Sequence, residues 1–115
     1  MSFQYQIAQA EGVTIFDFQG KLLLESDFNL LQEALIQQLG KGSKNFIYDF
    51  SNLTHINSTG LNFLIRSLTK IRIEGGDLYI CHIRKDVHQI FEISKLNEVF
   101  TIYNNREEAI KHFKK

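Results

Sequence analysis

The sequence predicts an α/β domain with a mostly parallel central sheet and an antiparallel hairpin at its N-terminus. Apolar segments of strand length alternate with segments of helical period, and two strand-like segments stand side by side at the start. No proline interrupts any of these segments. The 115 residues suit one domain covering 1–115, with enough chain to bury a core.

The first two segments form the hairpin. Residues 3–10 alternate apolar and polar side chains, which is the period of a strand with one buried face. Glu11 and Gly12 supply a two-residue turn, and a second strand runs from Val13 to Gly20. Because the connection is so short, the two strands are expected to pair antiparallel.

A helix and a buried strand follow. Ser26 is the predicted N-cap, with Asp27 in the first turn, and Gly40 or Gly42 ends the helix. The predicted buried face of this helix is Phe28, Leu31, Leu35 and Leu39. The next strand, Phe46 to Phe50, is apolar almost throughout, as expected for a strand covered on both faces.

A polar loop leads from this strand to the turn Asn57-Ser58-Thr59-Gly60. The spacing predicts a second helix that starts at Leu61 and ends at Gly75-Gly76. Its predicted buried face is Leu61, Leu64, Ile65, Leu68 and Ile71.

The rest of the chain continues the alternation. Strands are predicted at Asp77–Cys81 and Val99–Tyr103, with a helix at Lys85–Ser94 between them, and Asn104 or Asn105 caps a terminal helix. The predicted buried positions of the middle helix are Val87, Ile90, Phe91 and Ile93. The complete order is therefore β-β-α-β-α-β-α-β-α, which requires right-handed crossovers. Sites in such sheets gather beyond the carboxyl ends of the strands, where the turn at 57–60 lies.

Composition narrows the classes of partner. Thirteen basic and thirteen acidic side chains give a formal net charge of zero, which disfavours binding to nucleic acid. The N-terminus lacks the pattern of a signal peptide, and no apolar run approaches the length of a membrane span, so we expect a cytoplasmic protein without membrane insertion. Cys81, the single cysteine, cannot form an internal disulfide and is expected to be a buried structural thiol.

Ser58 allows three interpretations. A serine hydrolase needs a base paired with the nucleophile, but His55 is merely near in sequence, and the Gly-x-Ser-x-Gly elbow is absent. Alternatively, Ser58 or Asn57 caps the second helix. A third possibility is phosphorylation, since a phosphoryl group at a helix N-terminus meets free N–H groups and a favourable dipole. The residues alone disfavour hydrolysis and leave capping and phosphorylation open.

The spacing of the other candidate residues gives little support for a phosphate-binding loop, a metal site or a catalytic aspartate. The segment 40–44 lacks P-loop spacing, so no phosphate-cradling loop is expected. The four histidines, His55, His82, His88 and His112, show no paired metal spacing, so neither a metal nor another cofactor is predicted. Asp17 and Asp49 lie at or near strand ends, where an aspartate most often hydrogen-bonds a neighbouring loop.

Two motifs resemble a known family. Asp49-Phe50-Ser51, followed by Ile56-Asn57-Ser58-Thr59-Gly60-Leu61, is similar to the signature of STAS domains, specifically the bacterial anti-sigma factor antagonists. The N-terminal hairpin, Gly20-Lys21-Leu22 before the first helix and the Gly-Gly pair before Leu78 also agree with that family. The resemblance covers nearly the whole chain, and its specificity is concentrated in residues 56–61.

The resemblance implies a partner-switching protein rather than an enzyme. In such systems the unphosphorylated antagonist binds an anti-sigma factor, usually a serine kinase, and so frees a sigma factor. The kinase phosphorylates the motif serine and a PP2C-type phosphatase reverses this, so transcription is regulated indirectly. By position that serine is Ser58, with Thr59 the next hydroxyl. Many members have aspartate where this chain has Asn57.

An alternative within the same family is a STAS adaptor that is not phosphorylated, in a signalling scaffold or a transporter-associated complex. Under either alternative we expect the partner at the turn, at exposed positions of the following helix and at the loop near Gly20–Glu25. The expected partner-binding residues are Ile56, Asn57, Ser58, Thr59, Gly60, Asn62 and Arg66.

Overall fold

Strands and helices alternate after an initial hairpin in the computed structural model, which describes residues 3–114. The strands are β1 Gln4–Ala10, β2 Val13–Leu22, β3 Asn45–Ile56, β4 Asp77–Cys81 and β5 Thr101–Tyr103. The α-helices are α1 Glu25–Gly40, α2 Ser58–Ile73, α3 Lys85–Ile93 and α4 Arg106–Phe113. This confirms the predicted order and α/β class; residues 1, 2 and 115 of the predicted domain lie outside the described residues.

The sheet has the strand order β1-β2-β3-β4-β5. β1 pairs antiparallel with β2, and the other pairs are parallel, as predicted. In this register Asp17 lies beside Asp49, Asp49 beside Cys81 and Cys81 beside Tyr103. Four side chains with polar or ionisable atoms therefore form a row across β2, β3, β4 and β5.

The core has two parts, one on each face of the sheet. The larger cluster packs Phe28 of α1, Leu64 of α2 and Phe91 of α3 against the strands. The smaller cluster packs Ala109 and Ile110 of α4 against the opposite face. Three helices therefore cover one face, while α4 packs on the other.

The third strand is longer than predicted. It was expected to end at Phe50 and pass into a polar loop, but β3 continues to Ile56 by pairing with β2, which itself runs to Leu22 rather than Gly20. Apolarity identified only the first half, which β4 also flanks. In the second half the buried residues Leu53 and Ile56 are three positions apart, because register shifts against β2 interrupt the regular alternation between the two faces.

Two helix starts also differ from prediction. α2 begins at Ser58, one turn before Leu61. α1 begins at Glu25, so Ser26 is not its N-cap; Leu24 holds that position without a side-chain hydrogen bond. The carbonyl of Leu24 instead accepts hydrogen bonds from the backbone N–H groups of Asp27 and Phe28. A residue type that favours N-caps, such as serine, does not by itself determine where a helix begins.

The remaining differences are local. Ile65 is 37% exposed and Ile93 is 84% exposed, although helical spacing had assigned both to the core. β5 begins at Thr101 rather than Val99 because a 3₁₀ turn, Leu96–Glu98, precedes it. The predicted cap Asn105 is confirmed: its side chain accepts a 2.8 Å hydrogen bond from the N–H of Glu108. Within residues 3–114, no helix combines the length and apolarity needed to cross a bilayer.

Candidate functional site

Asn57, rather than Ser58, caps α2. Asn57 has extended backbone angles, and its Oδ1 accepts a 2.9 Å hydrogen bond from the N–H of Gly60. Its carbonyl accepts a second bond, of 3.0 Å, from the N–H of Leu61. Ser58 is the first residue of the helix and is exposed. Since the capping function belongs to Asn57, the Ser58 hydroxyl is not required for it.

The same asparagine side chain holds the loop beside the turn. Its Nδ2 donates a 3.2 Å hydrogen bond to the carbonyl of Leu23. Leu23 and Leu24, the only residues between β2 and α1, are 39% and 59% exposed. The predicted loop at 20–25 is therefore shorter than expected, and it presents two exposed leucine side chains, with the carbonyl of Leu23 bonded to the residue that precedes Ser58.

Gly60 is buried under the turn. A Cβ at this position would lie 2.6 Å from Cγ1 of Ile56 and 3.3 Å from Cε1 of Phe28. The glycine is therefore required by the side chains packed beneath it. Ile56 itself is 6% exposed. Of the expected partner-binding residues, Ile56 and Gly60 thus support the turn from below.

The exposed side of α2 continues from Ser58. With about 3.6 residues per turn, Asn62, Ile65 and Thr69 lie on the same side of the helix as Ser58. All four are exposed, as are Thr59 and Arg66 nearby. Ile65 was predicted to be buried rather than partner-facing, because an isoleucine adjoining Leu64 fits the apolar periodicity. The stripe of residues 58, 62, 65 and 69 is called the α2 stripe below.

The start of α2 favours negative charge. A helix supplies no partner for its first N–H groups, and here Asn57 satisfies those of Gly60 and Leu61. The N–H groups of Ser58 and Thr59 remain available to a nearby anion. The first turn carries no acidic side chain to oppose that anion.

A hydrolytic arrangement at Ser58 receives no support from His55. This histidine lies within β3 and is exposed, and its Nδ1 is 3.0 Å from the hydroxyl of Thr54. The Thr54 hydroxyl in turn donates to the carbonyl of Gly20. The His55 ring is therefore engaged with a neighbouring threonine and has no base–nucleophile bond to Ser58 among the hydrogen bonds of residues 3–114.

A second polar cluster lies away from this turn, under α4. Arg106 donates from Nε to Asp49 at 2.5 Å and from Nη2 to Asp17 at 3.2 Å. Asp49, which is 2% exposed, also accepts a 2.9 Å bond from the N–H of Ser51. Both aspartates had been noted singly, but Arg106 was missed. It lies 57 and 89 residues from its two partners, so sequence spacing carries no signal of the contact.

Burial and neighbouring charges shift the pKa values of the ionisable groups in this cluster in different directions. Burial raises the pKa of Asp49, but hydrogen bonds from Arg106 and Ser51 outweigh that effect and hold the pKa below its usual range. Burial and the neighbouring Asp49 charge raise the pKa of Asp17. Burial, with a smaller contribution from Asp49, raises the pKa of the Cys81 thiol to about 12. Cys81 is thus a buried thiol, as predicted, and burial favours its protonated form.

Comparison with protein families identifies the domain. The model of the STAS domain matches residues 4–109, which is nearly the whole chain. The chain belongs to the STAS domain family. The predicted resemblance is therefore confirmed, and the motif at 56–61 forms the junction of β3 and α2 in this STAS protein.

Named relatives are bacterial. A Bordetella bronchiseptica protein named "Putative anti-sigma factor antagonist BtrV" is 30% identical over 104 residues, covering 90% of this chain and 89% of that protein. The anti-sigma F factor antagonist of Paenibacillus polymyxa is 26% identical over 112 residues, covering 96% and 94%. The fold matches that of the Bacillus cell fate determinant SpoIIAA in its phosphorylated form, with a TM-score of 0.74, 15% identity and coverage of 96% and 99%.

Proposed function

We propose that this STAS protein is an anti-sigma factor antagonist, which binds an anti-sigma factor and is controlled by phosphorylation of Ser58. The observation that carries the proposal is the exposed Ser58 hydroxyl at the first position of α2, where Asn57 performs the capping. The names of the relatives support the same class of function. In this proposal the protein binds a partner and catalyses nothing itself.

The turn is suited to a phosphoryl group. Phosphorylation of a serine adds about 1.5 to 2 negative charges and three acceptor oxygens near neutral pH. The available N–H groups and the helix dipole would stabilise these charges without melting α2. A partner shaped for a neutral turn would lose its fit, because the new charge would have to be desolvated at the interface.

The proposed partner surface combines the turn with its exposed surroundings. It includes Ser58, Thr59, Asn62 and Arg66, with Asn57 positioned below them. The exposed side chains of Leu23, Leu24 and Ile65 add apolar area to this surface, and burial of apolar area is the dominant favourable contribution to most protein–protein association.

The partners follow from the family resemblance. We expect an anti-sigma factor with serine kinase activity as the binding partner and kinase, and a PP2C-type phosphatase that removes the phosphoryl group. Asparagine at position 57 keeps the capping oxygen that an aspartate would offer. It also supplies a donor that aspartate lacks, and this donor is used on Leu23. We therefore expect Asn57 to permit phosphorylation.

Phosphorylation is tested with the anti-sigma factor kinase encoded in the same host. Incubation with Mg²⁺ and ATP should add one phosphoryl group to the wild type and to Thr59→Ala, and none to Ser58→Ala, as read by mass spectrometry. Phosphorylation that persists in Ser58→Ala would contradict the site assignment.

Partner capture is tested separately with the same kinase immobilised. The wild type and Ser58→Ala should be retained, while Ser58→Asp should bind at least tenfold more weakly because it imitates part of the phosphate charge. Equal capture of all three proteins would favour the constitutive STAS adaptor in a scaffold or transporter-associated complex.

A further inference from the structure

We propose that Asp49, Cys81 and His82 form a binding site for a transition-metal cation of the Zn²⁺ class. One potential ligand atom from each of the three side chains lies within 4.8 Å of the other two. The site lies at the carboxyl ends of the paired parts of β3 and β4, away from the Ser58 turn. The inference is therefore independent of the proposed function.

Two features of the fold bring the side chains of Asp49, Cys81 and His82 together. Strand register puts Asp49 directly beside Cys81, although the two residues are far apart in sequence. Successive residues of a strand point to opposite faces, which would separate Cys81 from His82. His82 follows the end of β4 and has a left-handed φ of +58°, so the backbone leaves the strand path at this residue. That bend brings the imidazole towards the cysteine side.

The donor set selects the kind of metal. A thiolate sulfur, an imidazole nitrogen and a carboxylate oxygen together suit Zn²⁺ and its spectroscopic substitute Co²⁺. Ca²⁺ and Mg²⁺ require oxygen ligands and are excluded by this combination. Three protein ligands with one further position is a common arrangement for zinc.

Charge balance also supports a divalent ion. Asp17, Asp49 and Arg106 form a partly buried group with one excess negative charge, in which Asp49 is the buried member. Binding of the metal would release the thiol proton of Cys81 to solvent and form a metal–sulfur bond, which adds a second negative charge. The cluster would then carry two negative charges, which a divalent cation neutralises.

Asp17 and Asp49 both keep acceptor positions that a cation can use. Oδ1 of Asp17 is buried and has no hydrogen-bond partner among the described residues, so it can turn towards a cation as a further ligand or as a charge neighbour. Asp49 bonds Arg106 and Ser51, but a carboxylate has about four acceptor positions. These two donors would then orient a ligating carboxylate, as hydrogen bonds around metal sites commonly do.

His82 connects the buried ligands with solvent. Its side chain is exposed and lines an open cavity of about 400 Å³, together with Lys85, His88, Tyr103 and Asn104. Asp49 and Cys81 are buried behind it. A cation can therefore enter along the histidine, which provides the entry path that a metal site needs.

The test uses the full chain with a non-thiol reductant, titrated with Co²⁺ and then with Zn²⁺. Co²⁺ should bind with a stoichiometry of one and show the visible bands of a tetrahedral site together with a near-ultraviolet thiolate-to-cobalt band. Zn²⁺ should displace it. His82→Asn keeps a residue that tolerates left-handed backbone and should weaken binding at least tenfold. The matched control His88→Ala, in the same cavity, should bind as the wild type does.

Cys81→Ser should abolish the thiolate band in a protein whose circular dichroism is unchanged. If Cys81→Ser fails to fold, His82→Asn decides the outcome, because its changed side chain is exposed. Absence of cobalt binding, a cobalt spectrum without the thiolate band, or equal affinity in His82→Asn and His88→Ala would each overturn the proposal.

Discussion

Asn57 joins two segments 34 residues apart, because its amide offers both an acceptor and a donor. The acceptor caps α2, and the donor holds the carbonyl of Leu23. An aspartate could perform the first function but not the second, since two acceptors would then face each other. The residue that departs from the common family pattern is thus the one that fixes the loop beside Ser58.

The two functions can be separated by substitution. Asn57→Ala should lower the free energy of unfolding by about 1 kcal/mol, because a capping side chain is lost. Asn57→Asp should retain most of this stability, since a carboxylate caps the helix and suits its dipole. Amide exchange at Leu24 and Glu25 should nevertheless be faster in Asn57→Asp than in the wild type. This account would be contradicted if urea denaturation gave Asn57→Asp and Asn57→Ala the same free energy of unfolding. It would also be contradicted if amide exchange at Leu24 and Glu25 were the same in Asn57→Asp as in the wild type.

At the scale of the element, α2 presents an apolar side chain on the side that carries Ser58. Ile65 lies two turns from Ser58, at a distance of about 10 Å along the helix axis. Ile73 is also exposed, at 77%, but lies about 22 Å from Ser58 near the end of the same helix. The two isoleucines therefore form a matched pair for testing which part of α2 meets a partner.

Ile65→Glu should weaken capture of the anti-sigma factor at least tenfold, because a charge would replace an apolar contact on the α2 stripe. Ile73→Glu should leave capture unchanged. Both substitutions are at exposed positions, so both proteins should unfold within about 0.5 kcal/mol of the wild type. Affinity measured by isothermal titration checks this, and equal losses in both variants would place the partner elsewhere on the molecule.

The sequence predicted the order of elements because each one has a strong local pattern. The sequence-based predictions were wrong where the conformation or burial of one segment depends on its contact with another segment. The second half of β3 is a strand because β2 pairs with it, and its polar residues gave no sign of that pairing. Ile65 and Ile93 fit the apolar period of their helices, but Ile65 lies at the margin of its buried face and Ile93 is largely exposed at the last position of α3. The turn at 56–61 was recognised because its residues are contiguous.

At the scale of the whole molecule, Arg106 links α4 to the sheet through two ion pairs. Its guanidinium contacts β2 and β3 through Asp17 and Asp49, while Ala109 and Ile110 supply the apolar contact of the same helix. Because these residues come from three distant parts of the chain, no local pattern predicts them. The cluster forms only when hairpin, central strand and terminal helix have assembled.

The two aspartates should affect stability with opposite signs. The folded state lowers the pKa of Asp49, so its stabilisation is present above the unfolded pKa of about 3.9 and is lost as pH falls through the folded value. The folded state raises the pKa of Asp17, so its ionisation costs stability as pH rises through the window between the unfolded and folded values. Near neutral pH, Asp49 therefore stabilises the fold and Asp17 opposes it.

Substitution by asparagine should reveal this difference. At pH 7, Asp49→Asn should lower the free energy of unfolding by about 2 kcal/mol, because Arg106 loses its buried partner. Asp17→Asn should raise it by up to about 1 kcal/mol, since the amide oxygen can still accept from Arg106 while the carboxylate repulsion disappears. In urea denaturation followed from pH 7 downwards, both differences should shrink as the carboxyl groups become protonated. Two losses of similar size that do not vary with pH would show that packing, rather than charge, governs the attachment of α4.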